Sequence, residues 1–419
     1  MRARVAAVGG SIAVLLLLLL ASTHNETPVT ADAVATTPAA ASVVARGKYM
    51  ADAANCRSCH SRPNGAPFSG GVAFETPFGT IYSSNITPDR STGIGTWSAE
   101  DLRRAMHEGV GKSGRRLFPA FPYTSFTKMT DADVEAIYAY LQSLKPVHYS
   151  PPANDLAFSQ RWAMRFWNAL FFEGRRYEPD PSQSDEWNRG AYLVEGPAHC
   201  GACHSPRNSF MAEMSDRALE GGTLFDRVAD GKVRRWSAVN LTAAKSALAS
   251  WSVDDLSKYL HSGFSPRGAT FGPMNEVIVN SLMQLSAADI RAIAVYIKSL
   301  PPREQRIVGA LAEQTSAGES IYMDRCAKCH GKSGRGGMFS GPPLAGSAIA
   351  QADDPASLIN VLLYGPAKPE SVATGAWEDM PSYGELLDDA QLIAVGNYIR
   401  ASWGNRGRAL VSEDIARQR

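Results

Sequence analysis

The chain has 419 residues, 44% of them apolar and 20% charged, with 42 Lys and Arg against 41 Asp and Glu. That composition supports about two to four packed domains and excludes an intrinsically disordered chain. A net charge of +1 with no basic run leaves no electrostatic footprint for a nucleic acid, so none is expected as a partner.

Arg2 and Arg4 precede an apolar run from Val5 to Leu20. Residues 1–22 therefore read as a signal peptide or an uncleaved anchor, and imply export to the periplasmic face of the inner membrane. No cysteine follows the run, which excludes a lipoprotein anchor. The Ala-, Thr- and Pro-rich stretch 23–42 reads as a flexible tether.

Beyond it, one pattern occurs three times. A short helix carrying Gly leads into Cys-x-x-Cys-His: "ARGKYMADAANC", "NRGAYLVEGPAHC" and "SAGESIYMDRC". The motifs are Cys56-x-x-Cys59-His60, Cys200-x-x-Cys203-His204 and Cys326-x-x-Cys329-His330, and they use all six cysteines. Two thiols on one helical turn can add to the two vinyl groups of a haem, with the adjoining His facing the iron. The competing readings are a thioredoxin-like pair or half a zinc site, and three copies that consume every cysteine argue against both. Three covalently bound haem c groups are expected, with His60, His204 and His330 as proximal ligands. The other ring nitrogen of each should donate to a backbone carbonyl just downstream.

Each unit closes on an amphipathic helix: "DADVEAIYAYLQSL", "AADIRAIAVYIKSL" and "DAQLIAVGNYIRAS". Gly47, Gly190 and Gly318 on the leading helices should let these cross closely, opposite Tyr140, Tyr296 and Tyr398. The expected fold is all-α, three tandem repeats of one small haem domain at 43–147, 185–302 and 313–405, with a C-terminal tail at 406–419. Ser98 and Ser252 should cap the helices that follow "NITPDRSTGIGTW" and "NLTAAKSALASW". Asn85-Ile86-Thr87 and Asn240-Leu241-Thr242 match glycosylation sequons but read as loop formers. Between the first two units lies a connector, 148–184, with an aromatic helix "QRWAMRFWNALFF". Its Trp162, Phe166, Trp167, Leu170 and Phe171 should share one broad face, buried against the neighbouring units or docked on a partner subunit or membrane.

The sixth iron ligand should lie on the loop before each closing helix, where a thioether would raise the potential. Met274 and Met380 are the candidates in units two and three; Met283 reads as core. In unit one, Phe121-Pro122 occupies the place of Met380-Pro381. Met129 is a candidate there, but it also stands just before Thr130, as Leu285 stands before Ser286 and Leu387 before Asp388. Those three presumed N-caps make it a natural hydrophobic staple against Val134. Met106, His107 or an open site are the alternatives.

The repeats, "NRGAYLVEGPAHCGACHSPRN", "AIAVYIKSLP" and "NYIRASWGN" resemble the tri-haem cytochrome c subunits of bacterial membrane-associated dehydrogenases. These serve alcohol, gluconate and sorbitol enzymes with quinone or flavin cofactors, and molybdenum-containing aldehyde and nicotinate enzymes. The resemblance implies that the three all-α units are tandem class I cytochrome c domains, with a separate catalytic subunit as electron donor and ubiquinone or a terminal oxidase as acceptor. Alcohol-type members carry Ala-Met-Pro-Tyr in the first unit; Ala120-Phe121-Pro122-Tyr123 is similar to the nicotinate and aldehyde group. The chain shows no dinucleotide loop or nucleophile motif of its own. A peroxidase-like enzyme acting at an open first haem, or a terminal-oxidase subunit, are the alternatives to an electron relay.

Overall fold

The computed structural model describes residues 42–156, 162–228, 231–304, 306–337, 340–375 and 377–419. The leader expected at 1–22, and the tether except for Ser42, lie outside the described residues.

The leading helices are α1 (Val43–Ala53), α7 (Asp185–Glu195) and α12 (Ser316–Arg325). Each runs into a motif turn: α2 (Cys56–His60), α8 (Gly201–His204) and α13 (Ala327–His330). The closing helices are α5 (Asp131–Ser143), α11 (Ala287–Ser299) and α16 (Asp389–Ala401). Between motif and closing helix stand α3 (Ala99–Glu108) and α4 (Tyr123–Phe126), then α9 (Val253–Ser262) and α10 (Met274–Asn280), then α14 (Ala348–Gln351) and α15 (Ala356–Tyr364). The connector contributes α6 (Ala163–Phe171) and the C-terminus α17 (Ser412–Ala416).

Leading and closing helices pack in pairs, and glycine sets their approach. A Cβ on Gly47 would fall 1.8 Å from the Ala136 carbonyl oxygen, on Gly190 2.0 Å from that of Ala292, and on Gly318 2.3 Å from that of Ala394. The same three positions lie against the Cβ atoms of Tyr140, Tyr296 and Tyr398. No side chain larger than hydrogen fits there.

The caps fall where the sequence places them. Ser98 and Ser252 form capping boxes with Asp101 and Asp255, and Gly109 (φ 63°) and Gly263 (φ 75°) end those helices in the left-handed region. Thr130, Ser286 and Asp388 cap the closing helices, with Met129, Leu285 and Leu387 buried beside Val134, Ile290 and Leu392. Residues 406–419 fold back onto the third unit, where Leu410 and Ile415 join a core of Tyr322, Ile359, Leu392 and Val395.

The helical expectation needs one correction: the chain is not purely all-α. Seven short strands form antiparallel sheets among the described residues. Strands β1 (Ala73–Thr76) and β2 (Gly79–Tyr82) make a hairpin joined by β3 (Asp155–Leu156). Strands β4 (Gly222–Arg227) and β5 (Val233–Ala238) form a second hairpin, and β6 (Phe264–Ser265) pairs with β7 (Gly268–Ala269). The β-branched and aromatic residues of "AFETPFGTIY" and "GTLFDR…VRRWSA" favour strand, and Gly79 (φ 119°) turns the first hairpin.

The connector is a second correction. Trp167 is buried against Tyr123 and Phe171, its indole N–H donating to the Phe210 carbonyl at 2.9 Å. Tyr123 donates to Asn168 at 2.7 Å. Trp162, Phe166 and Leu170 point the other way and are 56, 64 and 72% exposed. The apolar residues thus divide between two faces, because Trp167 and Phe171 stand about 100° around the helix from Phe166 and Leu170.

Candidate functional site

The three motif turns share one local geometry. Asn55 (φ 49°) and His199 (φ 38°) take left-handed conformations just before Cys56 and Cys200, past the ends of α1 and α7, whereas α12 runs through Arg325 directly to Cys326. Each pair of cysteines then lies on a single turn with its histidine, and all six are free thiols. Desolvation by burial pushes the Cys56, Cys59 and Cys200 thiols up to about 12 and Cys326 to about 11. Among the described residues, no cluster of three or more His, Cys, Asp or Glu converges as an ion cage.

The imidazoles are alike as well. His60 Nδ1 lies 2.7 Å from the Ser84 carbonyl, His204 Nδ1 2.7 Å from that of Val239, and His330 Nδ1 2.8 Å from that of Pro342. Burial lowers all three histidines below their ordinary value, which keeps them neutral. Each Nδ1 therefore donates, and Nε2 remains as the lone pair for a metal. This is the arrangement a covalently attached haem needs on its proximal side. The acceptors are not in the turn just downstream, as expected from the sequence. Ser84 and Val239 follow the hairpin strands β2 and β5, so the unforeseen sheets deliver the carbonyls. Unit three, without a hairpin, uses a loop.

Asn85 and Asn240 hold those loops down. Each is buried, its Oδ1 accepting from the N–H two residues on, while its amide donates to the Val147 carbonyl (2.8 Å) or the Arg303 carbonyl (2.7 Å). The sequons are therefore internal turns.

The distal candidates are placed differently. Met274 opens α10 and is half-buried; Met380 is half-buried against the core of unit three. Met283 sits in a 3₁₀ turn, Leu282–Gln284, also half-buried rather than core. Met129 is fully buried and lies close to Gly196, which belongs to the chain leading into the second motif. Phe121 packs edge-on to Phe126 at 5.4 Å. Met106 is buried; so is His107, whose two ring nitrogens find no hydrogen-bond partner.

One set of polar residues escaped the sequence reading. Asp133 and Asp289 stand three residues into α5 and α11, where a capping box would turn their carboxylates back on the cap. Instead Asp133 takes Arg46 (2.9 Å) and the hydroxyl of Tyr192, while Asp289 takes Arg189 (2.8 and 2.7 Å) and the hydroxyl of Tyr49. Burial raises the Asp289 carboxyl, but Arg189 and Tyr49 more than reverse this and leave it below the usual range. The signal was present: Arg-Gly-x-Tyr occurs at 46–49 and 189–192, and is Ala-Gly-Glu-Ser at 317–320.

Comparison with known proteins agrees with this geometry. Residues 44–145 match the cytochrome c family model, and residues 313–399 match the model of cytochrome c oxidase, cbb3-type, subunit III. The gluconate 2-dehydrogenase cytochrome c subunit of Pantoea cypripedii is 37% identical, over 89% of this chain and 89% of the relative. The cytochrome c subunit of the quinone alcohol dehydrogenase of Gluconobacter oxydans is 36% identical, over 90% of this chain and 82% of the relative. A nicotinate dehydrogenase subunit of Pseudomonas putida is 42% identical over 86% of this chain, which spans only 30% of that longer protein. With cytochrome c domains, covalent haem c attachment motifs and relatives matched over most of their length, this chain belongs to the family of electron-transferring cytochrome c subunits of bacterial dehydrogenases.

Proposed function

We propose that the chain carries three haem c groups, one in each of three tandem class I cytochrome c domains at 43–147, 185–302 and 313–405. It accepts electrons from a separate dehydrogenase subunit and passes them to ubiquinone or a terminal oxidase at the periplasmic face of the inner membrane. The observation that carries this is the threefold recurrence of the His Nδ1–carbonyl bond on a turn that also carries a pair of cysteines. When bound, haem supplies reversible one-electron chemistry at iron. The protein anchors it through Cys56, Cys59, Cys200, Cys203, Cys326 and Cys329 and presents Nε2 of His60, His204 and His330 to the metal.

Met274 and Met380 are assigned as distal ligands of the second and third haems, and Met129 as the candidate in the first. The full burial of Met129 beside Val134 supports its staple role, so the first site is the one that separates a relay from a peroxidase-like enzyme. Flavin, quinone and molybdenum enzymes are all eligible donors; the 42% identity to the nicotinate dehydrogenase subunit favours the molybdenum type named by the Phe121 resemblance.

Replacing Met274 or Met380 with Leu should make one reduced haem bind carbon monoxide and lower its potential, read by spectral titration. A titration unchanged by both substitutions rejects the ligand assignment. Rapid peroxide turnover by the unmodified protein, with one haem already binding carbon monoxide, would replace the relay with the peroxidase-like alternative.

A further inference from the structure

The first and second motif units touch through pairs of equivalent residues. Tyr49 on α1 donates to Asp289 at the start of α11 and accepts from the Ser286 N–H at 3.1 Å. Tyr192 on α7 donates to Asp133 at the start of α5 and accepts from the Thr130 N–H at 3.2 Å. Each tyrosine thus completes the helix cap of the other unit, which frees the local Asp to hold both a cross-unit hydroxyl and its own unit's arginine.

The exchange continues beyond the caps. The loop before α5 lies on the second motif: Phe126 packs edge-on to His199 at 5.4 Å, and Lys128 pairs with Glu195 at 2.7 Å. In the reverse direction, α10 lies on the first motif. Ser58 Oγ accepts from the Asn280 amide at 3.0 Å and donates to the Glu276 carbonyl at 3.4 Å. The two hairpins also meet, Arg227 on β4 donating through Nε to Glu75 on β1 at 3.0 Å. Contacts in which residue i of one copy meets residue j of the other, and the reverse, are the mark of an isologous two-fold interface.

We propose that residues 43–147 and 185–302 form one fixed two-haem body about a local two-fold axis, in which Tyr49 and Tyr192 position the first haem site against the second. The proposal rests on the three-haem reading above. With haem held by His60 and His204, exchange between the two sites would move one electron, one iron being oxidised as the other is reduced. Unit three lacks the device: Ala317 and Ser320 replace the Arg and Tyr, and Asp388 and Gln391 close an ordinary capping box.

The test uses the full-length, haem-loaded chain with Tyr49→Phe, Tyr192→Phe and both together. Haem number is counted by pyridine haemochrome; the geometry of the haem pair is read from its Soret circular-dichroism couplet, and the caps from amide exchange at 130–134 and 286–290. The single variants should weaken the couplet equally, and the double variant should exchange those amides at least about tenfold faster while keeping its haems. Tyr138→Phe, whose hydroxyl donates to the Trp97 carbonyl within unit one, should change neither. A couplet and protection unchanged in the double variant overturn the proposal. If the double variant sheds haem, the singles decide: equal losses support the two-fold pairing, and a loss from one alone overturns it. Fewer than two haems in the unmodified chain would instead refute the haem assignment itself.

Discussion

His107 is a buried imidazole whose ring nitrogens make no hydrogen bond. Burial lowers His107 to about 3, with Arg176 adding to the effect and the Asp131 carboxylate, 3.5 Å away, only partly offsetting it. The unfolded chain takes up this proton near pH 6.5, the folded one only near 3. Stability from this residue is therefore complete above the unfolded value and is lost as pH falls toward the folded one. His107→Leu should reduce the loss of unfolding free energy between pH 7 and pH 5 by about 2 kcal/mol. Equal slopes for the two proteins in urea melts would show that His107 is not the titrating group. A second single-residue prediction concerns the helix crossings. Gly318→Ala must move α12 away from Ala394 and should destabilise the third unit by roughly 2–3 kcal/mol. Thermal melting within a degree of the unmodified protein would contradict the close approach.

At the scale of elements, the sequence was legible wherever chemistry is local. The motif turns, the caps at Ser98, Ser252, Thr130, Ser286 and Asp388, and the glycine crossings all depend on residues close in the chain or on a period of 3.6. The hairpins were missed because strands of four to six residues interrupted by charge give little alternation to read. The acceptor carbonyls were misplaced for the same reason, since Ser84 and Val239 reach their histidines only through those strands. The cross-unit roles of Asp133 and Asp289 were not legible, because nothing local reveals that Tyr192 and Tyr49 arrive from another unit.

For the molecule as a whole, the connector helix presents the main unassigned surface. Trp162, Phe166 and Leu170 form an exposed stripe, with Arg165 and Arg175 exposed nearby in the chain. An aromatic and aliphatic face edged by arginines suits the interface of an anionic bilayer. Phe166→Glu with Leu170→Glu should abolish flotation of the haem-loaded chain with phosphatidylglycerol vesicles and leave its Soret spectrum intact. Retained flotation would assign membrane contact elsewhere, and an association lost only with a catalytic subunit would make this a protein-docking face.

The carbonyl that steadies each motif histidine has a consequence for how the three centres diverge. Ser84, Val239 and Pro342 stand within 0.1 Å of the same distance from their imidazoles. Were these histidines the proximal ligands, that side would be closely alike in every centre. The freedom to set a ladder of driving force then lies on the opposite hemisphere, in the loops of Phe121, Met274 and Met380. A gradient could be rewritten there one loop at a time without disturbing attachment.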